Sequence, residues 1–500
     1  YTYAGCQGLT VPKIQIMLDQ NTSFCSDRVV YTALSRAVDA IHFVNNGVDT
    51  PEFWSKIDCT PYLKTFLNFV RDEYGMGEPE LPDTEPAMEP APATHFPVEP
   101  EASALEEFIE GLADPMEREI HNDHGFTQCI QTDNPIIQLF PHQQAKDEAL
   151  YWATIEARLK VSTPEANLRS FMLAIDIGDI LFMNYQAAMN LPQDPIPFDQ
   201  KLWDHCGQEV QARYLSKPVA NLINGRGRQS PDFPATDIAL FLKSQWVKKV
   251  DKMGKPKIKP GQTIAAFMQE TVMIYGQMSR YMRRVREAYQ PEWIIINCEK
   301  TPEQLSDWVL SNWDFNGMAY SNDYQSFDAS QDAAMLQFEV IKARFHNVPQ
   351  DIIEGYINVK LNACVFIGTL AIMRLSGEGP TFDANTECSI AYHHTRFNVA
   401  PGTAQMYGGD DSAQDHTPTE KPGFAQIASR LELTAKPIHH KQEPGEWATF
   451  CGWNITPAGL IKDPLKLYAG LRLSIERKTT KDTARSYALD LAHSYKLGDQ

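Results

Sequence analysis

MYGGDDSAQD, residues Met406 to Asp415, sets two glycines and two carboxylates between apolar-flanked segments. Glycine permits the tight geometry of a hairpin, so the stretch predicts two strands meeting at Gly408-Gly409-Asp410-Asp411. By itself such a turn is equally a surface hairpin with an acidic tip. Two segments upstream change its meaning.

The first is SNDYQSFDASQ, Ser321 to Gln331, in which a strand delivers Asp323 and Asp328 follows five residues later. There the chain turns into a helix predicted over Ala333 to His346. The second is SGEGPTFDANT, Ser376 to Thr386. Ser376, Gly377, Gly379 and Pro380 form a loop before a helix that holds Thr381 and Asn385, four apart and so on one face. Each piece has a plain structural explanation as a cap or a turn. Together they match a chemical demand. Nucleotidyl transfer uses two hard cations about 4 Å apart, and magnesium takes only a few protein carboxylates beside waters and phosphate oxygens. Asp323 and Asp410 on neighbouring strands, with Asp411 beside them, are the candidate catalytic and metal-binding residues. Asp328, Thr381 and Asn385 are the candidate ribose pocket, because a 2′-hydroxyl both donates and accepts.

A chain of 500 residues suggests two or three folded units. No run of eighteen apolar residues occurs, so no membrane-spanning helix is expected. The nine cysteines are scattered without a C-x-x-C pair, which argues against a zinc site or disulfide framework and for a reducing compartment. The net charge of -19 is uneven. Between Gly75 and Glu119 thirteen acidic residues face one basic residue, Arg118; that segment supplies -12 and leaves -7 for the rest. Charge fields fade over about 10 Å in physiological salt, so an acidic total does not exclude a local phosphate-binding groove.

Three zones are expected: a folded 1–74, an acidic Pro/Glu-rich linker over 75–120, and an α+β domain over 121–500. The linker holds too little apolar surface to offset its ordering entropy. In the third zone helices are predicted over Glu148 to Lys160 and Thr263 to Tyr289. Strands are predicted at Trp293 to Asn297, Met318 to Asp323, Ala363 to Arg374, Ala404 to Tyr407 and Ser412 to Asp415. This mixture implies antiparallel strands carrying helices on one face. Tyr1 stands where a start methionine would, and no leader follows, so the chain is expected to be a piece of a longer one.

D-x4-D, S-G-x3-T-x3-N and G-D-D, in that order, resemble motifs A, B and C of viral RNA-dependent RNA polymerases. FMQETVMIYGQMSRYMRR, INCEKTPEQL, LQFEVIKARFHN and FCGWNITPAGLIKDP resemble the potexvirus and allexivirus group of flexible filamentous plant viruses. The resemblance runs over essentially the whole chain. It implies a right-hand fold of fingers, palm and thumb with an antiparallel palm sheet, and two Mg²⁺ ions, for which Mn²⁺ can substitute. It also implies an RNA template and product, ribonucleoside triphosphates, and replication of a positive-strand genome. Upstream helicase and capping domains of the same polyprotein, host cytoplasm and host membranes are implied by the family alone. The chain stops soon after motif E, so part of the thumb is expected to lie beyond it.

Further segments fit the same resemblance. Seven lysines between Lys243 and Lys259 are like motif F, with Lys248, Lys249, Lys257 and Lys259 as candidate contacts to NTP or template phosphates; a solvated loop would look similar. Asn224-Gly225-Arg226-Gly227-Arg228 is a weaker candidate template guide. Lys436 or Lys441 stands where motif D supplies a general acid, and the choice is open. Phe450-Cys451-Gly452-Trp453 resembles motif E. GCQGLT from Gly5 and YTALSRA from Tyr31 resemble motifs V and VI of superfamily 1 helicases, which would make Arg36 an arginine finger toward ATP. No G-x4-G-K-[ST] occurs, so residues 1–74 read as the end of an α/β helicase whose earlier half lies elsewhere. A reverse transcriptase shares the palm logic, and Asp328 with Asn385 argues against it. A non-catalytic RNA-binding scaffold is opposed by the presence of all three aspartates.

Overall fold

The computed structural model describes residues 6, 10–18, 27–46, 142–143, 147–216, 234–246, 260–476 and 478–494. The acidic 75–120 segment, residues 224–228, Lys248, Lys249, Lys257 and Lys259 lie outside the described residues. Two units are distinct. One takes in 1–154, 242–262 and 462–499; the other takes in 155–241 and 263–461.

In the first unit β1 (Val11–Leu18) and β2 (Ala37–Asn45) pair in parallel, with α1 (Asp27–Leu34) between them in sequence. Parallel partners need such a crossover, because no tight turn can return a chain in the same direction. Ile16, Val30, Ala33 and Leu34 are buried. Later in this unit the helices Pro464–Glu476 and Thr480–Ser494 lie together, with Lys462 Nζ bonded to Asp490 Oδ2 at 2.8 Å.

The second unit contains α2 (Ile175–Ala188), α3 (Gln269–Glu287), β3 (Ile294–Ile296), β4 (Ala319–Tyr324), α4 (Ala333–Phe345), α5 (Thr381–Arg396), β5 (Gln405–Gly408), β6 (Asp411–Gln414) and β7 (Ala435–His440). The strands form one sheet in the order β7-β4-β6-β5-β3. Four of them are antiparallel as the sequence implies. At the edge β3 runs parallel to β5, with Ile294 opposite Gln405, which corrects a purely antiparallel sheet. The long helical excursion between β3 and β5 allows this, since the chain re-enters from the far end.

Side chains alternate across the sheet with the strand period of two. Ile294, Ile296 and Tyr407 enter a core with Leu181, Tyr185, Phe338 and Ile390 from α2, α4 and α5. Ile295 and Met406 face the other way, toward Leu305, Val309, Phe450, Ile455 and Leu460. Helices therefore do not cover one face alone. The second face is closed by helix Pro302–Asn312 and a small sheet of Ala448–Phe450, Trp453–Thr456 and Gly459–Lys462. Each large apolar side chain buried this way contributes about 1.5–3 kcal/mol.

Two predicted elements differ. The apolar run Ala363 to Arg374 forms only the two-residue pieces Cys364–Val365 and Gly368–Thr369, and its remainder is loop with Leu370, Ile372 and Met373 buried. A continuous apolar run specifies burial rather than a ladder partner. The helix expected from Thr263 starts at Gln269, after a strand Thr263–Ala266.

Two buried histidines, His346 and His393, and the partly buried His394 tie α4 and α5 to their surroundings. Burial, the largest influence in each case, lowers His346 to about 4, His393 to about 3 and His394 to about 4. Asn322 Nδ2 donates to His393 Nδ1 at 3.0 Å, and His393 Nε2 donates to Gln414 Oε1 at 2.6 Å, so the network assigns a neutral ring. Unfolded histidine titrates near 6.5, so between that value and pH 4 the unfolded chain binds protons that the folded chain refuses. Each ring then removes up to about 1.4 kcal/mol of stability per pH unit as pH falls. His416, raised mainly by its hydrogen bond to Asp415, acts in the opposite sense but is exposed. Thermal unfolding at constant ionic strength should show the melting temperature falling steadily from pH 6.5 to 5. A flat profile across that interval would contradict the buried neutral rings.

Candidate active site

β4 ends in Asp323, and the β5–β6 hairpin carries the other two aspartates. Gly408 and Asp411 are paired, so Gly409 and Asp410 form the two-residue loop. Gly409 has φ +63°, the left-handed region that the first position of a type II′ hairpin requires and that glycine enters without steric cost. Its N–H donates to Thr386 Oγ1 of α5 at 2.9 Å, which braces the turn from below. Ala413 pairs with Ser321 and Gln414 with Tyr320, so β6, which begins at Asp411, runs antiparallel beside β4, the strand that carries Asp323. On its other flank Asp323 is the pairing partner of Lys436 in β7. Asp323, Asp410 and Asp411 are all exposed.

The turn is also packed from behind. A side chain at Gly408 would come within 3.0 Å of Cys451 Sγ and 3.2 Å of Phe450 Cζ. Burial, then the charges of Asp411 and Asp410, push the Cys451 thiol up to about 12. The segment from Phe450 to Trp453 thus lies directly against the acidic turn. Among the described residues no three His, Cys, Asp or Glu side chains converge into a ready metal cage. Magnesium does not require one, since it keeps waters and shares substrate phosphates. Exposed carboxylates, hard and acceptor-only, on adjoining strands suit that cation.

Asp328 and Asn385 meet. Asn385 Nδ2 donates to Asp328 Oδ1 at 2.9 Å, across 57 positions of sequence. The Thr381 hydroxyl, the third member of the candidate pocket, donates to the carbonyls of Glu378 at 2.8 Å and Leu375 at 3.2 Å, which ties it to the loop before α5. In that loop Ala265 N–H donates to the Ser376 carbonyl at 2.7 Å. Gly377 has φ +117°, and a Cβ there would sit 2.0 Å from Ala265 O, so both backbone conformation and space demand glycine.

Beneath the site lies a charged layer that pattern reading does not reveal. Arg374, Glu339, Glu378 and Lys360 form one buried group, and Arg286, Glu387 and Lys342 another. The available signal was an arginine inside the apolar run Ala371 to Leu375, since an unpaired charge there would be costly. Of the motif D candidates, Lys436 adjoins Asp323, while Lys441 is paired with Glu446 at 3.1 Å. In the first unit Arg36 is buried, and it donates through Nε to the Thr32 carbonyl at 3.1 Å and through Nη2 to Ser35 Oγ at 2.9 Å.

Comparison with known proteins agrees with this architecture. A family model described as RNA dependent RNA polymerase matches residues 205–496. A second, described as viral superfamily 1 RNA helicase core domain, matches residues 1–45. The chain is 59% identical to the RNA replication protein of Strawberry mild yellow edge-associated virus, over 100% of this chain and 38% of that protein. It is 58% identical to that of Narcissus mosaic virus, over 100% and 30%, and 57% identical to that of Potato virus X, over 99% and 34%. The chain therefore spans between 30% and 38% of these relatives' length. Its ordered carboxylate strands and the match over most of its second half lead to one conclusion: the chain belongs to the viral RNA-dependent RNA polymerase family.

Proposed function

We propose that this chain carries out RNA-templated transfer of ribonucleoside monophosphates from NTPs to an RNA 3′-hydroxyl, as the polymerase part of a positive-strand virus replicase. The 3′-oxygen attacks the α-phosphorus, the bond to the β-phosphate oxygen breaks, and pyrophosphate leaves. The observation that supports this reading is the antiparallel pairing of the strand that begins at Asp411 with the strand that carries Asp323, with Asp410 in the adjoining turn. Bound Mg²⁺ would supply Lewis-acid activation of the hydroxyl and neutralise the triphosphate. Asp323 and Asp410 are its ligands in this reading, with Asp411 alongside. Lys436, next to Asp323, is the better placed of the two lysines to protonate departing pyrophosphate.

The five-stranded sheet is the palm, and the helices around it belong to palm and fingers. A cleft of about 510 Å³ is lined by Arg213, Arg280, Arg283, Asn297, Glu299, Phe382 and Asp383, with Arg280 paired to Glu209 and Arg283 to Glu299 and Asp383. Exposed Arg213 and the exposed ring of Phe382 are the groups there that suit a single-stranded template. RNA and NTPs are the partners this chemistry requires, and the upstream helicase and capping domains would be its neighbours in the same polyprotein. No helix among the described residues is long and apolar enough to cross a membrane.

Asp328 and Asn385 are the ribose reader. A site built to hydrogen-bond a hydroxyl rejects the analogue lacking it strongly. With an RNA template and Mg²⁺, the chain should incorporate template-complementary NTPs far more efficiently than 2′-deoxy NTPs. Asn385→Ala should narrow that preference by about tenfold or more while NTP incorporation stays measurable. Equal use of both substrates by the unaltered chain would instead favour a reverse transcriptase.

A further inference from the structure

Arg374 is wholly enclosed, with side-chain exposure of 0%, and its donors go to named acceptors. Nη1 faces Glu339 Oε1 at 3.0 Å, Glu378 Oε2 at 3.1 Å and the Tyr356 hydroxyl at 3.1 Å. Nε donates to Asn385 Oδ1 at 2.9 Å. The backbone N–H of the same residue donates to the Asp328 carbonyl, also at 2.9 Å. Arg374 therefore grips both halves of the pair assigned above to the ribose hydroxyl.

An asparagine amide is nearly symmetric in shape, and only its neighbours decide which end carries oxygen. Here the neighbours are unambiguous. A guanidinium only donates, so it takes Oδ1; a carboxylate only accepts, so Asp328 takes the NH2. Asn385 Nδ2 is thereby turned toward Asp328, whose Oδ2 makes no hydrogen bond among the described residues. Without the arginine one side of this orientation is lost, and the amide can rotate with its acceptor and donor exchanged.

Resting on the ribose-reader reading of Asp328 and Asn385, we propose that Arg374 is a positioning residue for sugar selection. Held by Glu339 and Glu378, it locks the Asn385 amide and the Asp328 backbone in the arrangement that distinguishes a ribonucleotide from a deoxyribonucleotide. It touches no substrate itself. Its role in stability and its role in selection are separable, because the first needs a positive charge between two glutamates and the second needs a donor at the position of Nε.

Arg374→Lys makes that separation: it keeps the charge and removes the Nε–H. The measurement is the ratio of kcat/KM for an NTP to that for its 2′-deoxy analogue, on an RNA template, for the 500-residue chain and its variants. Folding of each is followed by thermal unfolding. We expect Arg374→Lys to lower the ratio by about tenfold and to lower it no further when Asn385→Ala is already present, since a residue acting through another adds nothing once that other is gone. A folded Arg374→Lys with the original ratio overturns the proposal. So does a loss that adds in full to that of Asn385→Ala, which would mean an independent effect. If Asn385→Ala alone leaves the ratio unchanged, the ribose reading fails and the proposal falls with it. Should Arg374→Lys fail to fold, Glu339→Gln decides, because it keeps the size and the acceptor for Tyr356 but removes one anchoring charge. A drop of about threefold supports the proposal, and an unchanged ratio overturns it.

Discussion

Asp410→Asn should leave the chain folded and reduce templated incorporation by about 10²–10³-fold or more. Asp410 is an exposed residue of a two-residue loop whose shape depends on Gly409 and on the bond from Gly409 N–H to Thr386. An amide of the same size fits that loop, so the melting temperature should move by no more than a degree or two. What it lacks is the charge that a hard cation needs. The loss should fall on kcat rather than on template affinity, because the interaction matters most as charge develops on the transferring phosphoryl group. Single-turnover incorporation by both proteins at saturating NTP makes the comparison. Equal rates would remove Asp410 from the catalytic centre. A slow variant with a large fall in melting temperature would instead give the residue a structural role.

Glu387→Ala should produce the largest loss of stability, about 3–5 kcal/mol. Its carboxylate, with 2% of the side chain exposed, accepts from Arg286 Nη1 at 2.8 Å and is also bonded to Lys342 Nζ. Burial by itself would raise this carboxyl, but the charges of Lys342 and Arg286 reverse the effect and hold it below the ordinary carboxylate value. Its contribution is therefore complete above the unfolded carboxylate value and is lost as pH falls through the lower folded value. Truncation leaves two cations buried with their counter-ion gone, which costs more than the pair itself contributed. Urea unfolding followed by tryptophan fluorescence should show the midpoint fall sharply. Replacing Arg286 and Lys342 by methionine in the same protein should recover part of it, since an apolar cluster of similar volume removes the stranded charges. A single-variant midpoint within experimental error of the original would show that solvent reaches this group.

Residues whose meaning is local were legible in the sequence. The Gly-Gly-Asp-Asp turn, the strand bearing Asp323 and the helix bearing Asn385 follow from turn chemistry and hydrophobic period, which act over fewer than about ten residues. Their bounds shift by a residue or so: the strand expected at Met318 to Asp323 spans Ala319–Tyr324. The edge strand Ile294–Ile296 falls within the one expected at Trp293 to Asn297, but its parallel direction could not be read, because three isoleucines suit either direction and the partner lies more than a hundred residues away. For the same reason the run Ala363 to Arg374 looked like a strand and is largely buried loop.

The sequence by itself determined which side chains are the candidates for chemistry and in what order they come along the chain, since carboxylates, glycines and an amide at fixed spacings have few other uses together. Only the tertiary structure decided how they are held. It set the strand of Asp411 antiparallel beside that of Asp323, bonded the Thr381 hydroxyl to a carbonyl of the preceding loop, and buried Arg374 and Glu387 among opposite charges. Hydrophobic burial sets the periods that a sequence displays. The pairing of buried charges is settled by which distant segments come within about 3 Å of each other, and that is a property of the folded chain alone.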